Sequence, residues 1–166
     1  MNLSKLMFVL ILFFTPMYSY ADNTFFTEVE TFSVVHGLYT KHLFTQSYKD
    51  EVNNQRNDYN ESNNFIGLKL STGDGRSVSF SRFNNSYDEE SYALGFHKDL
   101  YEVFNYVSFG AEILLTSGYK DHFSLGSDIL PVPSLYTKVD VQQFVVKMSL
   151  ISGSVLGITG EYKFDL

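Results

Sequence analysis

Apolar and polar residues alternate along most of the chain after residue 30, which is typical of β-strands with one apolar and one polar face. The clearest example is 105–117, where every second residue from Val107 to Leu115 is apolar. The pattern offers no internal helix and predicts an all-β protein of eight strands. The predicted strands are 31–44, 65–71, 76–83, 92–97, 105–117, 129–138, 141–150 and 155–166.

Two architectures use eight such strands: a soluble sandwich or lipocalin-like barrel with its apolar face inward, or a membrane barrel with that face outward. Three strands reach about 10 residues, which suits a tilted strand that crosses a bilayer. Long polar loops, such as 45–64, alternate with shorter turns, and the chain ends in the alternating apolar residues Tyr162, Phe164 and Leu166. We therefore predict an eight-stranded antiparallel up-and-down transmembrane β-barrel, whose closure leaves no unpaired edge.

The N-terminus carries the features of a secretory signal peptide. A basic residue, Lys5, precedes the apolar run 6–14, and Ser19-Tyr20-Ala21 forms a small-residue cleavage site. The apolar run is shorter than the roughly 20 residues of a membrane-spanning helix. We predict that 1–21 is removed on export and that 22–166 is one barrel domain, in the outer membrane of a Gram-negative bacterium.

Composition narrows the function classes. The chain has 16 phenylalanines and 12 tyrosines but no cysteine, so neither disulfides nor a lipidated cysteine are expected. Its net charge of −7 offers no basic stripe for nucleic acid. The four histidines are scattered without zinc spacing, and neither a phosphate loop nor a G-x-S-x-G elbow occurs. We expect no metal, no cofactor and a monomer.

Many small residues would face the interior if the apolar faces point outward, among them Gly67, Ser79 and Gly95. Side chains normally just fill an eight-stranded barrel. The small residues could leave room for a narrow linear ligand such as an acyl chain, or they could accommodate larger and charged side chains. The side chains available for the second interpretation are Phe65, Tyr106, Lys69, Glu112, Lys147, Glu161 and Lys163.

Pro131 and Pro133 lie in the sixth predicted strand. Proline removes a ladder donor and is excluded from central strands. Two interpretations remain: the prolines open a gap in hydrogen bonding that forms a lateral doorway to the lipid, or they lie in a loop before a shorter strand.

Ser86 is the candidate for chemistry. The stretch 77–91 begins as an alternating strand, leaves that pattern at 84–86 and becomes an acidic loop, which places the Ser86 hydroxyl at a rim beside Asn85. A histidine in the first strand, His36, could act as its general base.

Short motifs along the chain add a family hypothesis. They are V-V-H-G-L-Y around His36, Y-N-E from Tyr59, N-S-Y from Asn85, Gly95, I-L-P-V-P from Ile129 and L-I-S-G from Leu150. Their order and spacing resemble the outer-membrane lipid A palmitoyltransferase (PagP) family over nearly the whole mature chain. The resemblance implies a barrel that moves a palmitoyl chain from a glycerophospholipid to lipid A, with a His, an Asp and a Ser near the outer rim. The chain also resembles small phage-borne barrels that are similar to this family.

The resemblance maps the family's histidine and serine onto His36 and Ser86 and its aspartate onto Asn85, which cannot act as a base. The small residue that floors the family's acyl pocket corresponds to His97, next to Gly95 in the inward pattern, so a shorter or blocked pocket is expected. The resemblance also favours the doorway interpretation of the prolines. The helix that precedes the barrel in the family corresponds to the short segment 22–30 in this chain. These residues make up the predicted substrate-binding set: Gly95, His97, Pro131 and Pro133.

Two functions follow from these observations. In the first, an acyltransferase or phospholipase-like enzyme, Ser86 reacts with an acyl carbonyl, His36 is the general base and Asn85 donates a hydrogen bond to the oxyanion. Phospholipid and lipid A are then the partners. In the second, a non-enzymatic surface barrel, the extracellular loops, chiefly 45–64, change the cell surface.

Overall fold

The computed structural model describes residues 28–45, 47–49, 56–119 and 128–166. The predicted signal peptide lies outside the described residues. Every regular element in the described part is a strand, and that part contains no helix that could cross a lipid bilayer. The strands are β1 (Val29–His42), β2 (Ser47–Lys49), β3 (Arg56–Asp58), β4 (Ile66–Thr72), β5 (Arg76–Asn84), β6 (Glu90–Phe104), β7 (Val107–Thr116), β8 (Leu130–Val141), β9 (Phe144–Ile151) and β10 (Val155–Asp165).

Eight of these strands form a closed antiparallel barrel in the order β1-β10-β9-β8-β7-β6-β5-β4. The barrel closes on β1, where Phe32 pairs with Phe164 of β10 on one side and with Leu70 of β4 on the other. The prediction of an all-β, eight-stranded antiparallel barrel is confirmed. The short strands β2 and β3 form a separate hairpin inside the first long loop, which the sequence pattern did not predict.

The apolar faces of the strands point outward, which is the orientation expected for the membrane architecture and not for a barrel with its apolar face inward. Leu68 is 50% exposed and Phe80 is 56% exposed, whereas their neighbours Lys69 and Ser81 are buried inside. Successive residues of a strand point to opposite faces, so the outward face is apolar around the barrel. Further exposed residues of this face are Leu94, Phe109, Leu135, Val146, Met148 and Tyr162.

The two ends of the barrel differ. At one end, which we call the turn end, lie both ends of the described chain and the short turns 73–75, 105–106 and 142–143. At the opposite end, which we call the rim, β1, β5 and β7 end, and connections of 23, 5 and 13 residues along the chain separate them from β4, β6 and β8; the turn 152–154 lies at the same end. This confirms the predicted alternation of long loops and short turns.

One predicted strand is too short. The fourth prediction, 92–97, corresponds to β6, which runs to Phe104 at the turn end. Register shifts between Asp99 and Tyr101 and between Glu102 and Phe104 break the alternation there, and an alternating pattern cannot follow a strand through such bulges. Tyr106 is also misassigned: it lies in the turn after β6, 52% exposed, and not in the interior.

A bulge in β1 decides which side chains reach the interior. The register with β10 shifts between Gly37 and Tyr39. Before the bulge Val35 is buried and His36 exposed, whereas after it Thr40 and His42 are buried. One inserted residue reverses the face that later side chains occupy, so His42 turns into the barrel.

Candidate functional site

Ser86 and His42 meet at the rim. The Ser86 Oγ lies 3.0 Å from His42 Nε2, and both side chains are partly or fully buried. His42 is the last residue of β1, and Ser86 lies in the loop between β5 and β6. The backbone ties this loop to the first long loop, since Asn60 N–H donates to Ser86 O at 2.9 Å. The pair thus depends on two connections that converge at one end of the barrel.

The structure does not bring His36 and Ser86 together. His36 faces outward between Ile66 of β4 and Gly160 of β10, and its Nδ1 contacts the carbonyl of Gly37 at 2.6 Å. The predicted pairing of His36 with Ser86 is therefore corrected to His42 with Ser86. The reason is the bulge in β1, which the alternation does not reveal. The only sequence signal was a second histidine at the end of the same strand.

Asn85 is fully buried and its side chain organises the loop. Its Oδ1 accepts the backbone N–H groups of Tyr87 at 2.9 Å and Glu89 at 3.0 Å, and its Nδ2 donates to Gly118 O at 2.6 Å. The Asn85 Nδ2 group already donates to Gly118 and is not directed towards a substrate at Ser86. The predicted role of Asn85 as the oxyanion donor is corrected to that of a residue that shapes the loop.

A cluster of tyrosine rings lies beside His42. The imidazole stacks on Tyr59 with ring centroids 4.3 Å apart and an angle of 15° between the planes. Tyr87 packs edge-on against Tyr59 and against Tyr48 of the β2–β3 hairpin. His42 Nδ1 is buried and has no hydrogen-bond partner among the described residues. With the proton on Nδ1, Nε2 is free to accept the hydrogen bond of the Ser86 hydroxyl.

Charged pairs mark the rim on the outside of the barrel. Lys41 and Glu61 lie 3.0 Å apart, and Arg82 pairs with Glu90. The hydrogen bond from Lys41 lowers the pKa of the Glu61 carboxyl, which therefore carries its charge at neutral pH. Burial raises the pKa of Tyr87 to about 12, so its hydroxyl stays protonated. These pairs lie close to the site, since His42 directly follows Lys41 in β1.

A cavity of about 140 Å³ extends into the barrel from Ser86. The apolar side chains that line it include Val35, Phe83, Leu114 and Ile151. For scale, a dry cavity of roughly 150 Å³ in a protein core holds one benzene molecule. The space beside Ser86 therefore admits a short apolar group. The small inward residues of the sequence do leave room, but only over part of the interior.

The floor of the cavity is a layer of paired charges and hydrogen bonds. Glu112 lies at its centre, 2.6 Å from Lys147 Nζ and 2.7 Å from His97 Nδ1. Ser149 donates to the same carboxylate at 3.0 Å, and Lys69 pairs with Glu161. We call these groups the charged floor. The predicted ion pairs among interior residues are thus formed, with Lys163 joining Asp140 nearer the turn end.

His97 and Gly95 meet in this floor. His97 Nε2 lies 2.8 Å from Ser79 Oγ, and a Cβ on Gly95 would collide with both, at 2.7 Å from His97 Nε2. His97 therefore lies at the lower end of the cavity, beside Ser79. Shortening of an acyl pocket by His97 and binding of an acyl chain beside it both stay predictions.

Pro131 and Pro133 lie within β8 and not in a loop before it. They pair with Leu115 and Ile113 of β7, whereas pairing of β8 with β9 begins only at Ser134. The Pro133 carbonyl accepts from Ser152 on the β9 side, at 2.8 Å. The N and C=O of one strand residue point to the same side, so the missing proline donors face β9 and cost β7 no hydrogen bond.

The loop interpretation of the prolines is therefore wrong. The segment 130–133 of β8 extends past the end of β9, and we call this boundary the proline seam. A lateral doorway there remains a hypothesis.

Comparison with known proteins adds no identity: no protein-family model matches this chain, and no curated protein matches its sequence. The PagP-like hypothesis rests on its short motifs. Among 28–45, 47–49, 56–119 and 128–166, no group of three or more side chains could hold a metal ion. What the geometry does offer is a serine hydroxyl against an imidazole at the mouth of an apolar cavity, which is the arrangement of a nucleophile and its base.

Proposed function

We propose that this chain is an outer-membrane acyltransferase that moves an acyl chain from a phospholipid to lipid A, as the family resemblance implies. The observation that carries the proposal is the 3.0 Å contact between Ser86 Oγ and His42 Nε2 at the mouth of the apolar cavity. A histidine in hydrogen-bond contact with a serine can remove its proton as the serine attacks a carbonyl.

Three observations support a membrane location. The outward face of the barrel is apolar, and a large exposed apolar surface is typical of a contact with a membrane or another protein. Closure pairs the strand edges, as a bilayer requires. The long loops lie together at the rim and the tight turns at the opposite end, the arrangement of bacterial outer-membrane barrels. The rim then faces the cell exterior, where lipid A lies.

The reaction proceeds in two acyl transfers. His42 Nε2 takes the proton of Ser86 as Oγ bonds to the ester carbonyl carbon, and the C=O electron pair moves onto oxygen. Collapse of this intermediate breaks the ester C–O bond, and the departing lysophospholipid oxygen takes the proton from His42. A lipid A hydroxyl then gives its proton to His42 and attacks the carbonyl carbon of the acyl-serine. As this second intermediate collapses, the bond between the acyl carbon and Ser86 Oγ breaks and Oγ takes the proton back from His42. Water in place of that hydroxyl gives hydrolysis.

The cavity limits the acyl group. A space of about 140 Å³ above the charged floor holds a group of roughly six carbons by comparison with a benzene-sized guest. A longer chain would have to leave the barrel through the proline seam. We expect the purified barrel to hydrolyse p-nitrophenyl butyrate faster than the palmitate ester. Equal rates for both esters would show that the cavity does not select chain length.

Mass spectrometry of lipids from expressing cells tests the function itself. Cells with the wild-type chain should gain a lipid A species heavier by one acyl group, together with a lysophospholipid. Ser86→Ala should abolish both, because the nucleophile is lost. Ser62→Ala is the matched control, since Ser62 lies exposed in another loop at the same rim. Lipid A and phospholipids that are identical with and without the chain would overturn the proposal.

A second candidate function is a non-enzymatic surface barrel. The observation that favours it is the pairing of β2 with β3, which brings Tyr48 into contact with Tyr59 and Tyr87 at the rim. In this case replacement of 45–64 by a short linker should abolish the surface phenotype, for example phage adsorption, whereas Ser86→Ala should leave it intact. For the acyltransferase, Ser86→Ala alone abolishes the lipid A product, so Ser86→Ala is the variant that separates the two functions, because replacement of 45–64 also removes Tyr59 and Asn60 beside the Ser86–His42 pair.

A further inference from the structure

Acyl transfer at Ser86 requires a hydrogen-bond donor for the negative charge that develops on the carbonyl oxygen. Asn85, the donor expected from the sequence, is committed to Tyr87, Glu89 and Gly118. Another group in contact with Ser86 must therefore supply this hydrogen bond if the proposed function is correct.

Tyr119 is such a group. It lies in the connection after β7 and lines the same cavity as Ser86. Its hydroxyl makes hydrogen bonds with both the side chain and the backbone N–H of Ser86. Burial raises the pKa of Tyr119, so the phenol keeps the proton that a donor needs at neutral pH.

The segment that carries Tyr119 is held firmly against the Ser86 loop. Asn85 Nδ2 donates to Gly118 O at 2.6 Å, and Ser117 N–H donates to Tyr92 O at 2.9 Å. Gly118 has φ of 85°, and a Cβ there would collide with Ser91, so only glycine allows this close passage. The hydrogen bond from Asn85 thus joins the residue before Tyr119 to the residue before Ser86.

We propose that Tyr119 donates its phenolic hydroxyl to the oxyanion formed at the carbonyl that Ser86 attacks, and that Asn85 is the positioning residue that holds Tyr119 in place. The backbone N–H of Ser86 donates to the phenol oxygen, which strengthens the donation of the phenol proton to the oxyanion. This inference rests on the proposed acyl transfer and adds the oxyanion donor to it.

Steady-state hydrolysis of p-nitrophenyl butyrate by the purified, folded full-length barrel tests the inference. We expect Tyr119→Phe to lower kcat about 100- to 1000-fold, because one oxyanion donor is lost. KM should change by less than about twofold, since the hydrogen bond forms only in the transition state. Tyr101→Phe, at the turn end and 68% exposed, is the matched control and should keep the wild-type kcat.

Asn85→Asp tests the positioning role. The aspartate keeps two acceptor oxygens for Tyr87 and Glu89 but cannot donate to Gly118 O. We expect a loss of kcat close to that of Tyr119→Phe, and the double variant should be no worse than Tyr119→Phe alone, because both changes remove the same interaction. Additive losses in the double variant would contradict the positioning role.

The outcomes separate the two levels of the proposal. If wild type and Ser86→Ala hydrolyse the ester equally slowly, the acyl-transfer function fails and the role of Tyr119 fails with it. If hydrolysis depends on Ser86 while Tyr119→Phe keeps kcat within about threefold, the function stands and the role of Tyr119 is overturned. Thermal unfolding followed by circular dichroism verifies that each variant is folded.

Discussion

The charged floor and the rim share one barrel interior but use their polar groups differently. In the floor, Glu112 contacts Lys147, His97 and Ser149, so its charge is fully compensated. At the rim, Ser86 and His42 contact each other beside an apolar cavity. Polar groups that satisfy one another stabilise a fold, whereas a hydroxyl and an imidazole that border a cavity can react with what enters it.

The two regions also differ in how the backbone builds them. The floor residues come from regular strands, and the ladder registers set their mutual positions, as where His97 pairs with Glu112. His42 follows a bulge, and Ser86 lies in a loop held by the Asn85 side chain. Irregular backbone at one end of a rigid barrel is where binding and catalytic groups usually occur.

The largest effect should come from the rim histidine. We expect His42→Gln to lower the rate of p-nitrophenyl butyrate hydrolysis about 100- to 10,000-fold, because general-base catalysis is lost. His36→Gln is the matched control on the same strand and should leave the rate unchanged, since His36 faces outward. The reverse result, a large loss in His36→Gln alone, would restore the pairing predicted from sequence.

A large effect on stability should come from the floor. Glu112→Ala leaves Lys147 and His97 without their buried carboxylate, and we expect the free energy of unfolding to fall by about 3–5 kcal/mol. Glu102→Ala, at an exposed site on β6, should change it by less than about 0.5 kcal/mol. Urea unfolding of the barrel in lipid vesicles measures both. A stable Glu112→Ala variant would mean that the floor is not a structural layer.

A smaller effect should come from Gly95. A methyl group there collides with Ser79 and His97, which cannot move apart without breaking their hydrogen bond, so Gly95→Ala should cost about 1–3 kcal/mol. At Gly160 the nearest atom to an added Cβ is 3.5 Å away, and Gly160→Ala should be close to neutral. Urea unfolding of the two variants checks this. Equal stabilities would contradict the tight packing described for the floor.

The barrel was predictable because its signal repeats along the chain. The prediction rests on a period of two, on eight strands and on long loops at one end. An error in one strand, such as the shortened fourth strand, does not change it. The alternation also predicts which charged side chains face the interior. Which of them pair with one another depends on the register between strands, which the alternation does not give. Lys163, for example, pairs with Asp140, which the alternation alone does not indicate.

The site was less predictable because it depends on exceptions to that pattern. The bulge after Gly37 directs His42 into the barrel and leaves His36 on the outer face. The alternation of apolar and polar residues does not predict this bulge. From the sequence, the Asn85 side-chain amide is next to Ser86 and free to bind an oxyanion. In the structure, this amide makes hydrogen bonds to Tyr87, Glu89 and Gly118 instead. Tyr119 carried no motif, and only the fold brings it to Ser86.

Covalent labelling of Ser86 tests the central claim, that Ser86 and His42 form a reactive pair, most directly. The purified barrel is treated with a fluorophosphonate, and the adduct is located and timed by mass spectrometry. We predict a single adduct on Ser86, formed at least about 100-fold more slowly in His42→Gln and at the wild-type rate in His36→Gln. Absence of an adduct on Ser86, or labelling that proceeds equally fast without His42, would contradict the account.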